Sequence, residues 1–191
     1  MSKAKLLVLI GPHGAGKSTL GRAIGAALGW RYDDELGERL RRAELSKDPS
    51  AHAQRPQAEF DEAVLRAELE RDAASLAGEP RVVETWHPGN LAYARARSPA
   101  VAEKWEPRAQ ASAQRLAAEG TLLVQPLIAD PITLQARRTE PGPAEIVQFF
   151  RCVADDALAI CLAWGLPVAP VIATDRLDQR GALAQVLQRL R

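Results

Sequence analysis

Hydrophobic runs alternate with amphipathic stretches along the 191 residues of the chain. The run from Lys5 to Ile10 is almost continuously apolar, which is typical of a central parallel strand that is covered on both faces. Further short runs that we interpret as strands occur at 30–32, 81–85, 121–128 and 167–173. Because helical patterns separate these runs, we predict an α/β protein with a parallel five-stranded sheet and helices on both faces.

The helices are predicted from apolar residues at helical spacing and from the signals at their ends. They cover about 17–28, 36–45, 57–76, 98–119, 130–138, 144–164 and 178–190. Gly29 is expected to end the first helix, and the pairs Ser98-Pro99 and Asp130-Pro131 are typical helix starts. We predict a surface loop at 46–56 and a break at 139–143, which contains two prolines and a glycine.

The first predicted strand leads directly into Gly-Pro-His-Gly-Ala-Gly-Lys-Ser-Thr at residues 11–19. This stretch fits G-x-x-x-x-G-K-[ST], the pattern of a phosphate-binding loop (P-loop). Glycines let backbone N–H groups approach a polyphosphate, and the helix that follows adds the positive end of its dipole. We expect Lys17 to reach the β- and γ-phosphates and the Ser18 hydroxyl to bind Mg²⁺. The predicted nucleotide-binding residues are Gly11, Pro12, His13 (side chain outward), Gly14, Ala15, Gly16, Lys17, Ser18, Thr19 and, after the last strand, Asp175.

Ligands of a parallel sheet bind at the carboxyl ends of its strands, so the residues that follow each strand are candidates for chemistry. Asp33, Asp34 and Glu35 follow the second strand, and Glu84 stands at the end of the third. An acid at the end of an apolar strand is costly to bury without a purpose. We expect Asp34 or Glu84 to orient or deprotonate an acceptor group. The alternative for Asp33 and Asp34 is that they cap the next helix, where the helix dipole favours their charge.

Arg137 and Arg138 follow the fourth strand. A phosphoryl-transfer site needs positive charge at the γ-phosphate, so one of these arginines is a catalytic candidate. Alternatively, both arginines could be ordinary solvated cations at the end of a helix. Trp86 and His87, after the third strand, could shape an acceptor pocket or simply pack in the core. Two tryptophans in the middle or at the end of helices, Trp105 and Trp164, are expected in the core.

Charge and composition narrow the functional class. Lys and Arg total 25 and Asp and Glu 24, a formal charge of +1 that argues against a broad nucleic-acid surface. With 47% hydrophobic residues, a chain of this length is sized for one soluble domain. Because no apolar run approaches the roughly 18 residues of a membrane span and no cleavable signal precedes the first strand, we expect no membrane partner and a cytoplasmic location.

Cys152 and Cys161 lie in one predicted helix, nine residues apart. Nine helical residues rise about 13 Å, which is too far for a disulfide. We expect both to be buried small hydrophobes of a reducing compartment.

Several of these segments resemble the nucleoside- and nucleotide-monophosphate-kinase group of P-loop proteins, which includes thymidylate, cytidylate and shikimate kinases. The stretch from Gly29 to Leu36 resembles the exit of their second strand, where members place an aspartate that faces the acceptor and the metal waters. Glu84 to Tyr93 resembles the stretch of thymidylate kinase that carries an Asp-Arg-Tyr. Gln135 to Arg138, the break at 139–143 and Phe149-Phe150 resemble the arginine-bearing lid and the helix after it.

The resemblance implies a three-layer α/β/α P-loop NTPase fold with strand order 2-3-1-4-5 and a single domain over residues 1–191. It implies an ATP-dependent kinase that uses Mg²⁺, held by Ser18 and Asp34, with Lys17, Asp34, Glu84, Arg137 and Arg138 as catalytic residues. The acceptor would bind at a helical region about 34–78 under a lid at about 135–150. It would be a nucleoside or a nucleoside monophosphate, and a homodimer is left open.

One position departs from the resembling family, in which an arginine beside the strand-three acid commonly holds the phosphate of the acceptor. Thr85 stands there in this chain, which argues against a monophosphate acceptor unless Arg95 or Arg97 replaces that arginine. Three alternatives stay open: a kinase of a non-nucleotide metabolite, a slowly hydrolysing switch or binding module, and a chain without turnover. The guanine motif of GTPases and the Ser-Gly-Gly signature of ABC-type ATPases are absent from the sequence.

Overall fold

Five parallel strands form the sheet of this computed structural model, which describes residues 4–48, 50, 55–75, 79–138 and 143–190. The strands are β1 (Leu6–Ile10), β2 (Arg31–Asp33), β3 (Arg81–Glu84), β4 (Leu122–Ile128) and β5 (Ile172–Ala173). Their order, β2-β3-β1-β4-β5, confirms the predicted order. The central strand β1 is in register with both neighbours, with Leu6 opposite Arg81 on β3 and Leu122 on β4.

Helices cover both faces of the sheet, as predicted. They are α1 (Lys17–Leu28), α2 (Leu36–Lys47), α3 (Gln57–Ser75), α4 (Trp86–Arg97), α5 (Pro99–Ala118), α6 (Pro131–Ala136), α7 (Ala144–Ala163) and α8 (Gln179–Arg189). The side chains of β1 alternate between two cores: Leu6, Val8 and Ile10 lie in one, and Leu7 and Leu9 in the other. The first core includes residues of α3, α4, α5 and α7, and the second includes residues of α1, α6 and α8. This is the predicted three-layer α/β/α arrangement.

The sequence pattern missed helix α4. Its first turn contains Pro88 and Gly89, two residues that usually interrupt a helix. Proline is tolerated there because the first-turn N–H groups have no partner within the helix. Asn90 and His87, both buried, also disguise the apolar face of this helix.

The fifth strand is shorter than predicted. Pro167 and Pro170 have no N–H to donate to a neighbouring strand, so the segment 167–171 makes only an isolated bridge between Val168 and Val124 before β5 begins. Helix α6 also ends at Ala136, two residues before the predicted end. Residues 139–142 of the predicted break at 139–143, and residues 49 and 51–54 of the predicted loop at 46–56, lie outside the described residues.

Buried side chains confirm the predicted core tryptophans but correct the prediction for one cysteine. Trp105 and Trp164 are 5% and 6% exposed. Cys161 is buried, whereas Cys152 is exposed, so the expectation that both are buried was wrong. Nine residues at about 100° per residue are two and a half turns, which places the two side chains on opposite faces of α7. No helix in the described ranges is long and apolar enough to cross a membrane.

Candidate active site

The loop between β1 and α1 has the backbone of an anion-binding nest. Gly11 and Gly16 have φ angles of 148° and 86°, which favour glycine. A Cβ at Gly11 would lie 2.4 Å from the carbonyl oxygen of Leu127, because β4 passes directly beside the loop. The buried Lys17 folds back over this loop, and its Nζ donates to the carbonyl of Gly11 at 2.7 Å. The loop therefore holds a cation over backbone that can face phosphates.

The exit of β3 places a carboxylate beside the first turn of α1. Leu9 and Glu84 are opposite each other in the sheet, and Ser18 Oγ donates to Glu84 Oε2 at 3.2 Å. The hydroxyl of Tyr32, on β2, donates to the other oxygen of Glu84. Burial and this hydrogen bond raise the pKa of Tyr32, so it stays protonated. A hydroxyl and a carboxylate oxygen in contact are the type of ligand that Mg²⁺ prefers, and the residues present fit that metal.

The three acids at the exit of β2 have different surroundings. Asp33 is buried and accepts hydrogen bonds from Arg31 at 3.0 Å and from Arg81 at 3.3 Å, so its role is structural. Asp34 is half-buried and pairs with Arg42 of α2. Glu35 accepts from Thr85 Oγ1 at 3.1 Å.

The capping interpretation of Asp33 and Asp34 was wrong. Glu35 occupies the N-cap position of α2, and its side chain makes no capping hydrogen bond. Glu35 belongs to the acidic run at the exit of β2 but was not predicted as a site residue, although it lines the cavity that Lys17 and Glu84 also line. Its contact with Thr85 depends on the pairing of β2 with β3, which no local pattern shows.

The segment after α6 connects to the P-loop through Arg137. Its guanidinium donates to Thr174 Oγ1 at 3.0 Å and to the Thr174 carbonyl at 2.8 Å, and Thr174 Oγ1 also lies 3.0 Å from the carbonyl oxygen of Ala15. Arg138 lies with its Cζ 5.8 Å from the centre of the Phe150 ring. Asp175 follows β5 and lies 4.0 Å from Arg176.

These elements surround one cavity of about 980 Å³. We call three parts of its wall the phosphate side, the strand-exit side and the helical side. The phosphate side includes Gly14, Gly16, Lys17, Ser18, Arg137 and Arg138. The strand-exit side consists of Asp34, Glu35, Glu38, Arg41, Arg42 and Glu84. The helical side comes from α3, α4 and α7 and consists of Phe60, Asp61, Val64, Asn90, Tyr93, Arg97 and Phe150.

Most of the predicted site residues therefore meet around the same space. Thr19 and His13 also line the cavity, whereas Gly11, Pro12 and Ala15 form the loop behind its surface. Among the described residues on the wall, Asp175 is not present, and its nucleotide contact stays a prediction.

The His13 side chain was predicted to point outward, but it lines the cavity and packs against an aromatic ring. Its ring lies 4.2 Å from Phe150 and 6.4 Å from Tyr93, measured between ring centroids. Desolvation by this packing and the charge of Lys17 lower the pKa of His13 to about 4, so the imidazole is neutral at pH 7.

The fold separates Arg95 from Arg97, the two residues that could take the place of the family arginine that is Thr85 in this chain. Arg95 binds Glu106 at 2.7 Å and Asp156 at 3.0 Å and does not reach the described cavity wall. Arg97 does line the cavity, where it donates to Asp61 at 2.6 Å and lies 4.8 Å from the ring of Tyr93.

Behind the helical side lies a buried polar cluster around Asp72 of α3. Its carboxylate accepts hydrogen bonds from Trp86 Nε1 at 2.9 Å and Ser112 Oγ at 2.6 Å, and His87 Nε2 lies 2.6 Å away. Burial alone would raise the pKa of Asp72, but the hydrogen bonds from His87, Ser112 and Trp86 hold it below its ordinary value. Trp86 and His87 are fully buried and belong to the core, which settles their two interpretations in favour of packing.

A second buried contact fixes Asn90 on the cavity wall. Its side-chain amide donates to Glu68 at 2.8 Å, and Arg71 binds the same carboxylate. Burial raises the pKa of Glu68 despite this arginine. Sequence reasoning missed Glu68, Arg71 and Asp72 because charged residues within an amphipathic helix are usually assigned to its solvated face.

Comparison with known proteins agrees with this geometry. Residues 6–180 match the model of the family AAA_28, described as an AAA domain. No curated protein matches the sequence.

Similar solved structures include three small-molecule kinases. Deoxyadenosine kinase from M. mycoides has a TM-score of 0.64 and 14% identity, with 97% of this chain and 98% of that chain covered. A gluconokinase from Sinorhizobium meliloti 1021 has a TM-score of 0.58 and 19% identity, with 96% of this chain and 90% of that chain covered. Shikimate kinase from Acinetobacter baumannii has a TM-score of 0.55 and 15% identity, with 99% of this chain and 94% of that chain covered. At such low identity these likenesses show the fold, which is that of P-loop kinases.

Proposed function

The chain belongs to the AAA_28 family of AAA domains, and we propose that it is an ATP-dependent kinase that transfers the γ-phosphoryl group to a small acceptor. The observation that carries this proposal is the arrangement of the P-loop and the strand-exit acids around one cavity of about 980 Å³. Clefts of roughly 300–1,000 Å³ hold small ligands, and this one reaches from Lys17 to helices α3 and α4. The kinase neighbours support the reaction class.

The phosphate side would bind ATP. The backbone of the 11–19 loop and Lys17 would hold the β- and γ-phosphates, and Ser18 and Glu84 would hold Mg²⁺. The metal would neutralise charge on the phosphate oxygens. Ser18 and Asp34 are the metal ligands that the sequence predicts. Glu84 supports that role better, because it contacts Ser18 whereas Asp34 pairs with Arg42.

The strand-exit side would receive the reacting group of the acceptor. Because Glu84 would hold the metal, the strand-exit carboxylates that would take a proton from the acceptor are Asp34 and Glu35, both on the cavity wall. Arg137, fixed between the P-loop and β5, and Arg138 would neutralise charge on the transferred group. A lid at about 135–150 would exclude water from it, and residues 139–142 of that segment lie outside the described structure.

The test is acceptor-dependent consumption of ATP. Nucleosides, nucleotides and small hydroxylated metabolites are added singly to the protein with ATP and Mg²⁺, and ADP formation is measured above the rate without acceptor. We expect at least one acceptor to raise the rate, and Lys17→Ala to lower it about 100-fold or more, because this substitution removes the cation in the loop.

Lys104→Ala, which also removes a lysine but from an exposed ion pair with Glu62 away from the cavity, is the matched control and should retain most of the rate. An ADP rate that no acceptor changes would indicate a slow ATPase. Equal ATP binding by Lys17→Ala and the parent protein would show that the phosphate site lies elsewhere.

A further inference from the structure

The helical side of the cavity offers flat apolar surfaces. Phe60, Tyr93 and Phe150 come from three different helices and all line the same space. The rings of Tyr93 and Phe150 are 6.4 Å apart at an interplanar angle of 73°. Burial raises the pKa of Tyr93 well above its ordinary value, so its ring carries no charge. Such walls fit a planar ring, since aromatic rings favour stacked and edge-to-face contacts.

Next to these rings lies the buried carboxylate of Asp61. Asp61 is 2% exposed and lines the cavity. Its Oδ1 accepts hydrogen bonds from Arg97 at 2.6 Å and from Gln57 at 3.1 Å. Its Oδ2 is buried and accepts none from the part of the chain that the structure describes. Buried polar atoms are nearly always hydrogen-bonded, so this oxygen is suited to a hydroxyl or an N–H of a bound molecule.

The cations on these two sides are already engaged by carboxylates. Within the described ranges, the pairs on the strand-exit and helical sides are Arg41–Glu38, Arg42–Asp34, Arg42–Glu38 and Arg97–Asp61. Turning Arg97 toward a phosphate would leave Asp61 as a buried, unpaired charge, which is strongly unfavourable. This part of the cavity is therefore poorly suited to a dianionic group.

The charges on the strand-exit side also disfavour a phosphorylated acceptor. Thr85 follows β3 and carries no positive charge, and its hydroxyl donates a hydrogen bond to Glu35. Glu84 and Asp34 add two more carboxylates to the same side of the cavity. Carboxylates repel a phosphate acceptor, whereas they can accept the proton of a hydroxyl.

We infer that the acceptor is an unphosphorylated alcohol with a planar ring, that the rings of the helical side hold its ring, and that Asp61 Oδ2 accepts one of its hydrogen-bond donors. This inference rests on the proposed kinase function. The acceptor oxygen forms a bond to the γ-phosphorus of ATP as the bond from that phosphorus to the bridging oxygen breaks. The bond pair leaves with ADP, and the acceptor proton passes to Asp34 or Glu35.

The first test compares acceptors that differ only in a phosphate. Purine, pyrimidine and pyridinium ribosides and the 5′-phosphate of each are assayed for acceptor-dependent ADP formation and for binding by calorimetry. We expect at least one riboside to be used, with a kcat/KM at least tenfold above that of its own 5′-phosphate. A preference for the phosphates, or binding of neither set by protein that binds ATP, would overturn the inference. Protein that fails to bind ATP would instead overturn the proposed function.

The second test uses Asp61→Asn, which keeps the shape of the side chain and removes its charge. We expect the KM of the riboside that is used to rise at least tenfold while the KM of ATP changes less than twofold. Glu62→Gln is the matched control, because Glu62 neighbours Asp61 on α3 and forms an exposed ion pair with Lys104. An unchanged riboside KM in folded Asp61→Asn would overturn the contact. If the variant does not fold, Gln57→Ala, which alters the hydrogen bonding of Asp61 from the first turn of α3, should raise the same KM.

Discussion

The phosphate side and the helical side of the cavity are built in different ways. The phosphate side comes mainly from consecutive residues, 11–18, whose backbone and one cation form the site. The helical side is made of side chains from α3, α4 and α7, held by buried hydrogen bonds such as that from Asn90 to Glu68. A P-loop can serve any nucleoside triphosphate, because it contacts only phosphates. In the proposed kinase, specificity for an acceptor would come from the scattered helical residues, where substitutions should separate acceptor binding from ATP binding.

The largest effect that sharpens this comparison is expected at Glu84. Glu84→Gln keeps the shape and removes the charge next to Ser18, so turnover with Mg²⁺ should fall about 100-fold. Binding of ATP in the presence of a chelator should change little. Ser18→Ala should show the same metal dependence, and the double variant should lose less than the product of the two single losses, because both residues would serve one metal.

Titration of ATP with and without Mg²⁺ and steady-state rates measure these effects. Equal losses with and without Mg²⁺ would assign Ser18 and Glu84 to packing, and the proposed metal site would lose both of its ligands.

A smaller effect, mainly on stability, is expected behind the helical side. Asp72→Asn replaces an acceptor that three donors share, which should lower the free energy of unfolding by about 2–4 kcal/mol. Since Trp86 and His87 begin α4, which carries Asn90 and Tyr93, the acceptor KM should rise more than the ATP KM. Denaturant unfolding measures the first effect. Asp156→Asn, which alters an exposed pair with Arg95, should change stability by less than about 1 kcal/mol.

This stabilisation has a predictable pH dependence. The pKa of Asp72 is lower in the folded protein than its ordinary value of 3.8, so the folded state binds a proton less readily than the unfolded chain. The contribution of Asp72 is therefore fully present above about pH 4 and is lost as the pH falls through the folded pKa. The difference in stability between the parent protein and Asp72→Asn should shrink below pH 4. A difference that is constant down to pH 2.5 would contradict the lowered pKa.

The smallest effect is expected at His13, where the two sides meet. With a pKa of about 4, the imidazole is uncharged across pH 5.5–8 and adds no cation to the phosphate side. The affinity for ATP should show no step between pH 6 and 7, and His13→Gln should keep the same Kd within about twofold. A step near pH 6.5 that disappears in His13→Gln would show that a charged His13 binds the phosphates.

Much of the phosphate side was predictable because its signals are local. The run from Lys5 to Ile10, the 11–19 loop and the helix start at Lys17 follow one another along the chain, and spacing alone predicts their conformations. The strand order came from the family resemblance and was confirmed. Helix α4 escaped prediction because Pro88 and Gly89 usually interrupt a helix, whereas here they lie in its first turn and the helix packs against α3, α5 and α7.

The sequence by itself determined the phosphate-binding loop, the alternation of strands and helices, and the candidate acids and arginines at the strand ends. Only the tertiary structure decided which partner each of those acids has: Asp33 pairs with Arg81, Glu84 contacts Ser18, and Glu35 contacts Thr85. It also decided that Cys152 is exposed and that Asp61, on the cavity wall, has an oxygen to which no described residue donates a hydrogen bond. The physical reason is that a loop conformation depends on neighbouring residues, whereas the environment of a carboxylate depends on which distant side chains the packed helices and strands bring against it.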